Sequence, residues 1–210
     1  MRRTFLVLIT VAAATTAVAQ VDYFHRPSPF AGKTLLTLSV FDEVRAELKT
    51  TPELNSREDG LLVDLQKEFD QALKDAPLKG GFSAVAPEIE KMNAKYDVEC
   101  LKLFSVEQAK RLKQLFLQFN GGNSLTNTVI SGDLTITDEE KARFKEAQDA
   151  NAKKVKDAYL HSLPPDELHK LLANLQAELK ATLEAVLTPD QQTKYKAMQG
   201  DKFEFKKAAL

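Results

Sequence analysis

From about residue 35 onward, apolar residues recur at intervals of three and four almost to the C-terminus, which is the period of a helix face. Val40, Val44 and Leu48 mark a first short helix that stops near Thr50-Thr51-Pro52. Leu61, Leu62, Leu65, Phe69 and Leu73 form the rows of a second, broken at Pro77 and Gly80-Gly81. Pro87 occupies the place of a first-turn proline for a third helix that runs to about Leu103. A fourth starts at Ser105 and ends at Asn120-Gly121-Gly122-Asn123, a fifth runs from Thr137 to about Leu160, and a sixth follows Pro164-Pro165. The sixth carries the clearest amphipathic stripe, with Leu168, Leu171, Leu172, Leu175, Leu179, Leu183 and Val186 on one side. A last short helix spans Thr188 to Gly200, and Phe203 and Phe205 alternate with charges in a tail predicted to dock back. Residues 124–136 stay open between helix and a short β-hairpin, because Thr126, Thr128, Val129, Ile130 and Thr135 favour strands while Gly132-Asp133 interrupts them.

The predicted fold is all-α: six to seven amphipathic helices in an irregular bundle or a cradle of helical hairpins. Residues 35–210 read as one helical domain, with a division into two sub-bundles near 77–86 or 120–136 as the alternative. Residues 20–34, with Pro27, Pro29 and Gly32, read as an extended arm.

Residues 1–19 read as an address. Arg2-Arg3 is followed by an apolar run of about fourteen residues, shorter than the roughly 20 needed for a span, and Ala17-Val18-Ala19 is the small-x-small pattern of signal-peptidase cleavage. The expected product starts at Gln20 and is periplasmic or secreted, an uncleaved N-terminal anchor being the alternative reading. No later stretch is apolar enough to cross a bilayer.

One motif recurs. Phe104-Ser105-Val106-Glu107-Gln108, Ile136-Thr137-Asp138-Glu139-Glu140 and Leu187-Thr188-Pro189-Asp190-Gln191 each read apolar, hydroxyl, any, acidic, Gln/Glu. Each continues to a basic and then an apolar residue: Arg111-Leu112, Arg143-Phe144, Lys194-Tyr195. Leu163-Pro164-Pro165-Asp166-Glu167 is a fourth copy with proline in the hydroxyl position, and Thr50-Thr51-Pro52-Glu53-Leu54 a worn fifth. A hydroxyl followed three residues later by Gln/Glu is a capping box, which satisfies amides that a helix start leaves unpaired. The motif is therefore read first as a set of helix starts, with the apolar residue seven past each cap turned to the core. The caps are unequally spaced, so no solenoid of fixed repeat is expected.

With its leader and helical body, the chain resembles the LTXXQ-motif family of bacterial periplasmic proteins, the Spy/CpxP type. The likeness is closer to longer secreted members that end in an LTPEQ…K…GEPF-like block, here Leu187-Thr188-Pro189-Asp190-Gln191, Lys194 and Gly200-Asp201-Lys202-Phe203. The resemblance implies an ATP-independent chaperone or the partner of an envelope-stress sensor, built as a cradle of helices. It transfers no catalytic residue, and this chain is longer than the compact Spy-type cradle.

Charge and chemistry narrow the picture further. The chain has 29 Lys+Arg against 30 Asp+Glu, and without residues 1–19 the balance is 27 to 30. That balance lacks the basic excess of a nucleic-acid binder, so no nucleic-acid partner is expected. The single cysteine, Cys100, precludes an internal disulfide; it lies in register with Ile89, Met92, Tyr96 and Leu103, which predicts a buried, inert thiol. His25, His161 and His169 match no standard zinc spacing, although His161 and His169 flank one turn with Asp166 and Glu167 between them. Lys153-Lys154-Val155-Lys156 and Lys206-Lys207 read as a solvated helix face and a charged tail. No phosphate loop, nucleophile elbow or zinc-protease motif occurs, and no catalytic, cofactor-binding or metal residue is assigned. The expectation is a non-enzymatic binding protein, chaperone-like, whose partners are unfolded clients or an envelope protein. A structural component of the envelope is the alternative, weak metal sensing the third, and a homodimer is an assembly this pattern allows. N-terminal sequencing of the exported protein checks the leader: Gln20 is expected first, and a Met1 start in the membrane fraction marks the anchor instead.

Overall fold

A computed structural model describes residues 32–76, 82–160 and 163–205. The leader, the arm up to residue 31, the break at 77–81, His25, His161 and Lys206-Lys207 lie outside the described residues. Among the described residues the fold is all-helical, with nine α-helices and no strand, somewhat more helices than the spacing predicts.

The additional elements are short ones. The single first helix expected from the spacing is two, α1 (Leu35–Ser39) and α2 (Asp42–Leu48). The ambiguous stretch forms the end of a 3₁₀ segment (Gly121–Thr126) and, directly after it, a short α-helix (Thr128–Asp133), so the hairpin reading is replaced. The next two helices, α3 (Pro52–Asp75) and α4 (Phe82–Leu101), form a long hairpin. Thr51 caps α3 by accepting the Leu54 N–H at 3.3 Å, and Pro52 sits in the first turn, so the worn fifth copy is a working helix start. Pro87, by contrast, lies inside α4 and not at its start. The helix begins five residues earlier and forgoes the one amide that a proline lacks.

Helix α5 (Val106–Asn120) runs through the centre and buries Leu112, Leu115, Phe116 and Leu117. It ends at Gly121 with φ 53°, passes through the 3₁₀ segment, and leads to α6 (Thr128–Asp133). Asn127 caps α6 by accepting the Val129 and Ile130 N–H groups, a local bond that overrides the β-propensity of Val129 and Ile130. A second long hairpin follows, α7 (Asp138–Leu160) and α8 (Pro165–Val186), and α9 (Pro189–Met198) closes the helical part.

The three complete motif copies are all capping boxes. Ser105, Thr137 and Thr188 hydroxyls accept from Gln108, Glu140 and Gln191 N–H at 3.2, 3.2 and 3.3 Å. The same three side chains accept the caps' own N–H at 3.1, 2.8 and 2.8 Å. The flanking apolar positions are core: Phe104, Ile136 and Leu187 before the caps, Leu112, Phe144 and Tyr195 seven beyond them. Pro164 supplies no side-chain cap to α8.

The tail docks as expected. Phe203 and Phe205 pack partly buried on the core, with Phe205 edge-on to Phe119 at 5.0 Å. Gln118 donates to the Gln199 and Asp201 carbonyls and accepts the Phe203 N–H at 2.7 Å. Gly200, at φ 61°, turns the chain beside Gln114, where a side chain would collide.

The α7–α8 hairpin meets the rest of the molecule at its base. There α8 crosses Gly122 so closely that a Cβ on Gly122 would lie 3.2 Å from the Lys180 Cα and 3.3 Å from a Leu183 methyl. Two predictions follow from these contacts. Ser105→Ala removes one cap and lowers stability by about 1 kcal/mol in chemical denaturation. Gly122→Val forces α8 off the 3₁₀ segment and costs more than the cap, about 1–3 kcal/mol, with loss of amide-exchange protection concentrated in α8.

Candidate functional site

Two regions combine unusual polarity with position. The first is the buried junction around α1. All five residues of α1 are buried, so its sequence, Leu-Leu-Thr-Leu-Ser, has no face in water. Its amides need partners inside the protein. Thr34 takes the Thr37 N–H at 3.1 Å, and Asp97 of α4, 1% exposed, takes the Leu36 N–H at 3.1 Å. The other Asp97 oxygen accepts from the Asn127 side-chain amide at 2.6 Å, so one carboxylate ties α4 to the starts of α1 and α6. Burial pushes the Asp97 carboxyl up to about 6, against these hydrogen bonds, which pull it down.

On the other side of α1, the Ser39 hydroxyl donates to the Leu36 carbonyl at 2.9 Å and accepts from the Cys100 thiol at 3.6 Å. Cys100 is fully buried, as its register predicts, and burial pushes its pKa up to about 12. Glu58 of α3 is also fully buried, with Arg45 Nε 3.5 Å from its carboxylate. Arg45 gives its short bond, 2.6 Å, to the more exposed Asp59 instead. Burial raises the Glu58 pKa, and the nearby Arg45 charge only partly offsets it. These groups join five helices, α1, α2, α3, α4 and α6.

The second region is the α7–α8 hairpin. Its inner stripe buries Phe144, Ala158, Leu175, Leu179 and Leu183. Two shallow grooves of about 400 and 420 Å³ lie on the hairpin surface. The distal one is lined by Lys154, Asp157, Ala158, Leu163, Leu171 and Leu175. The proximal one is lined by Arg143, Glu146, Ala147, Thr182, Ala185 and Val186. At 100° per residue the α7 members of both grooves fall on one stripe, and so do the α8 members. The grooves therefore share one face, with Lys154 and Glu178 bridging the two helices at 3.0 Å between them. Near the tip, Tyr159 and Leu160 are 61% and 70% exposed.

A third arrangement joins two motif copies. The Gln191 amide, whose oxygen closes the α9 cap, donates from its nitrogen to Glu140 at 3.0 Å and to the Thr135 carbonyl at 3.4 Å. Glu140 is the residue that closes the α7 cap. Burial alone would raise the Glu140 carboxyl, but bonds from Thr137 and Gln191 outweigh it and hold the pKa below the ordinary value. Gln108 behaves alike, donating to the Leu48 carbonyl at the end of α2 at 2.9 Å. The Gln of the motif thus has a tertiary partner, which capping alone does not predict.

His169 is exposed on α8, and no group of three or more His, Cys, Asp or Glu among the described residues is placed to hold a metal ion. No helix among them is long and apolar enough to cross a membrane. The hairpin face escapes a reading of the sequence because α7 mixes alanines and charges with little apolar contrast; the recurrence of Arg143-x-x-Glu146-Ala147 and Lys154-x-x-Asp157-Ala158 eleven residues apart is the signal that points to it. No family model, curated protein or solved structure is similar enough to this chain to match it.

Two measurements check this account. The raised Asp97 pKa means the native state keeps its proton to higher pH than the unfolded chain does. Its contribution is therefore fully present below pH 3.8 and is lost as pH rises to about 6. Asp97→Asn removes that step from a denaturation series across this window, while lowering stability overall because the Asn127 amide loses its acceptor. Gln191→Ala removes the side-chain half of the α9 capping box together with the bonds to Glu140 and the Thr135 carbonyl, and its cost in the same assay exceeds that of Ser105→Ala.

Proposed function

We propose that the chain is an exported, non-enzymatic helical binding protein, chaperone-like, which holds apolar polypeptide segments on the α7–α8 hairpin. The observation that carries this reading is the placement of both grooves on one face of an arm whose tip exposes Tyr159 and Leu160. Half-buried Leu163 and Leu171 with small Ala147 and Ala185 give a surface that accepts side chains of varied shape, and the charges beside them keep the arm soluble. The leader-like residues 1–19 and the likeness to the LTXXQ-motif family support an envelope location and holding without ATP. A structural role in an envelope assembly is the second reading, favoured by the balanced charges along the same face, which suit a fixed partner better than varied clients.

The deciding assay follows light scattering of a chemically unfolded client with the purified protein and no ATP. Suppression at about equimolar ratio is expected, and Ala150→Arg/Ala185→Arg, both exposed on the face, abolishes it with the helical circular-dichroism spectrum intact. No suppression across several clients overturns the holding activity and leaves the assembly reading.

A further inference from the structure

The two grooves repeat one another along both helices. On α7, Arg143 and Ala147 of the proximal groove stand eleven residues before Lys154 and Ala158 of the distal one. On α8, Leu171 and Leu175 stand eleven residues before Thr182 and Val186. Eleven residues are close to three full turns, so the grooves lie about 16 Å apart on one line. Their volumes are alike, about 420 and 400 Å³. Their apolar lining is small or aliphatic: half-buried Ala147 and Val186 in one, buried Ala158 and Leu175 in the other. A chain lying along the hairpin fills both only by offering two apolar side chains on one face at that separation.

Backbone geometry decides which chain can do so. An extended segment rises about 3.3 Å per residue and covers the distance in about five residues, an odd number, which turns the second side chain to the opposite face. Its same-face positions fall about 3 Å short of the second groove or about 3 Å beyond it. A helix covers the distance in eleven residues and returns to within about 20° of the same face, as α7 and α8 themselves do. Resting on the reading of this face as a polypeptide docking surface, we propose that the segment held there is an amphipathic helix with apolar anchors eleven residues apart, lying along the furrow between α7 and α8. Small Ala147, Ala150 and Ala185 let a third helix approach closely. The charges give the occupant a further mark. Lys154 is engaged by Glu178 within the hairpin at 3.0 Å, whereas Arg143, its counterpart eleven residues earlier, is exposed at the proximal groove. The bound helix therefore carries a carboxylate one turn from the anchor seated beside Arg143. The client class is the helix-forming segment that an unfolded helical protein exposes before its own helices pack, and not a strand.

Labelled peptides of about eighteen residues, long enough to form a helix, test this by fluorescence anisotropy with the purified protein. One carries two leucines eleven residues apart in an Ala/Gln/Lys background. The second has the same composition with the leucines nine apart, on opposite faces of a helix, and the third keeps the spacing of eleven with a proline between them. The first is expected to bind about tenfold or more tighter than either of the others and to gain helical circular dichroism on binding. Ala150→Arg/Ala185→Arg abolishes that binding. A glutamate one turn from one leucine strengthens binding to the unmodified protein and not to Arg143→Gln; an equal gain in both overturns the pairing with Arg143. Equal affinity for the three peptides, tighter binding of the proline peptide, or no peptide bound while the unfolded client is still held overturns the helical occupant and leaves the docking face. Selective binding of the first peptide without suppression of client scattering keeps the helical occupant and removes the holding activity. If the client is not held and no peptide binds, both readings fail.

Discussion

The structure depends on a helix with no access to water. Removing α1 from solvent gains the transfer of three leucines, each about 1.5–3 kcal/mol when fully buried, and exposes the fold to the cost of unpaired amides in an apolar interior. Asp97 meets that cost, and it does so by accepting burial of its own carboxylate, which is why its pKa rises to about 6 despite its hydrogen bonds. Because the same side chain holds Asn127, the cap of α6 and the start of α1 share one acceptor. The neighbouring Glu58, also buried with its pKa raised and with only Arg45 Nε nearby at 3.5 Å, adds to the cost of this junction, in which Asp97 finds its partners only when α1, α4 and α6 are all in place.

Around that junction the molecule is organised as a body with two arms. The α3–α4 arm is joined to the body directly through α1, whereas the α7–α8 arm touches it through a narrow base at Gly122 and the cap linkage of Gln191 to Glu140. The first arm is held by a buried polar network, and the second by close backbone approach and hydrogen bonds nearer the surface. The apolar stripe of the second arm is only partly sealed: Leu175, Leu179 and Leu183 are buried, whereas Leu168, Leu171, Leu172 and Val186 are half-buried.

How much of this was legible beforehand follows from the range of each interaction. Capping boxes are local, so Ser105, Thr137 and Thr188 reveal helix starts, and the burial of Leu112, Phe144 and Tyr195 follows from helix geometry. Full burial erases the contrast between faces, so α1 leaves no periodic trace and merges with α2 in any reading by spacing. The strand-forming residues near 128–130 yield to Asn127, whose bonds and tertiary tie to Asp97 decide the matter. Pro87 misplaces a helix start because the local rule is right about the missing amide and blind to the turn that precedes it. The hairpin grooves depend on two helices coming together, and the eleven-residue recurrence within α7 is only half of their lining.

The position of α1 also bears on the order in which the fold is assembled. A chain delivered N-terminus first presents Leu35–Ser39 early, yet the Leu36 and Ser39 partners, Asp97 and Cys100, come 61 residues later. Asn127, which completes the Asp97 pair, comes later still. Until roughly residue 127 has emerged, the segment that becomes the centre of the protein has nothing to enter, and closing so long a loop is slow compared with forming the helices themselves. The N-terminal half therefore stays uncommitted until the residues that complete the junction arrive.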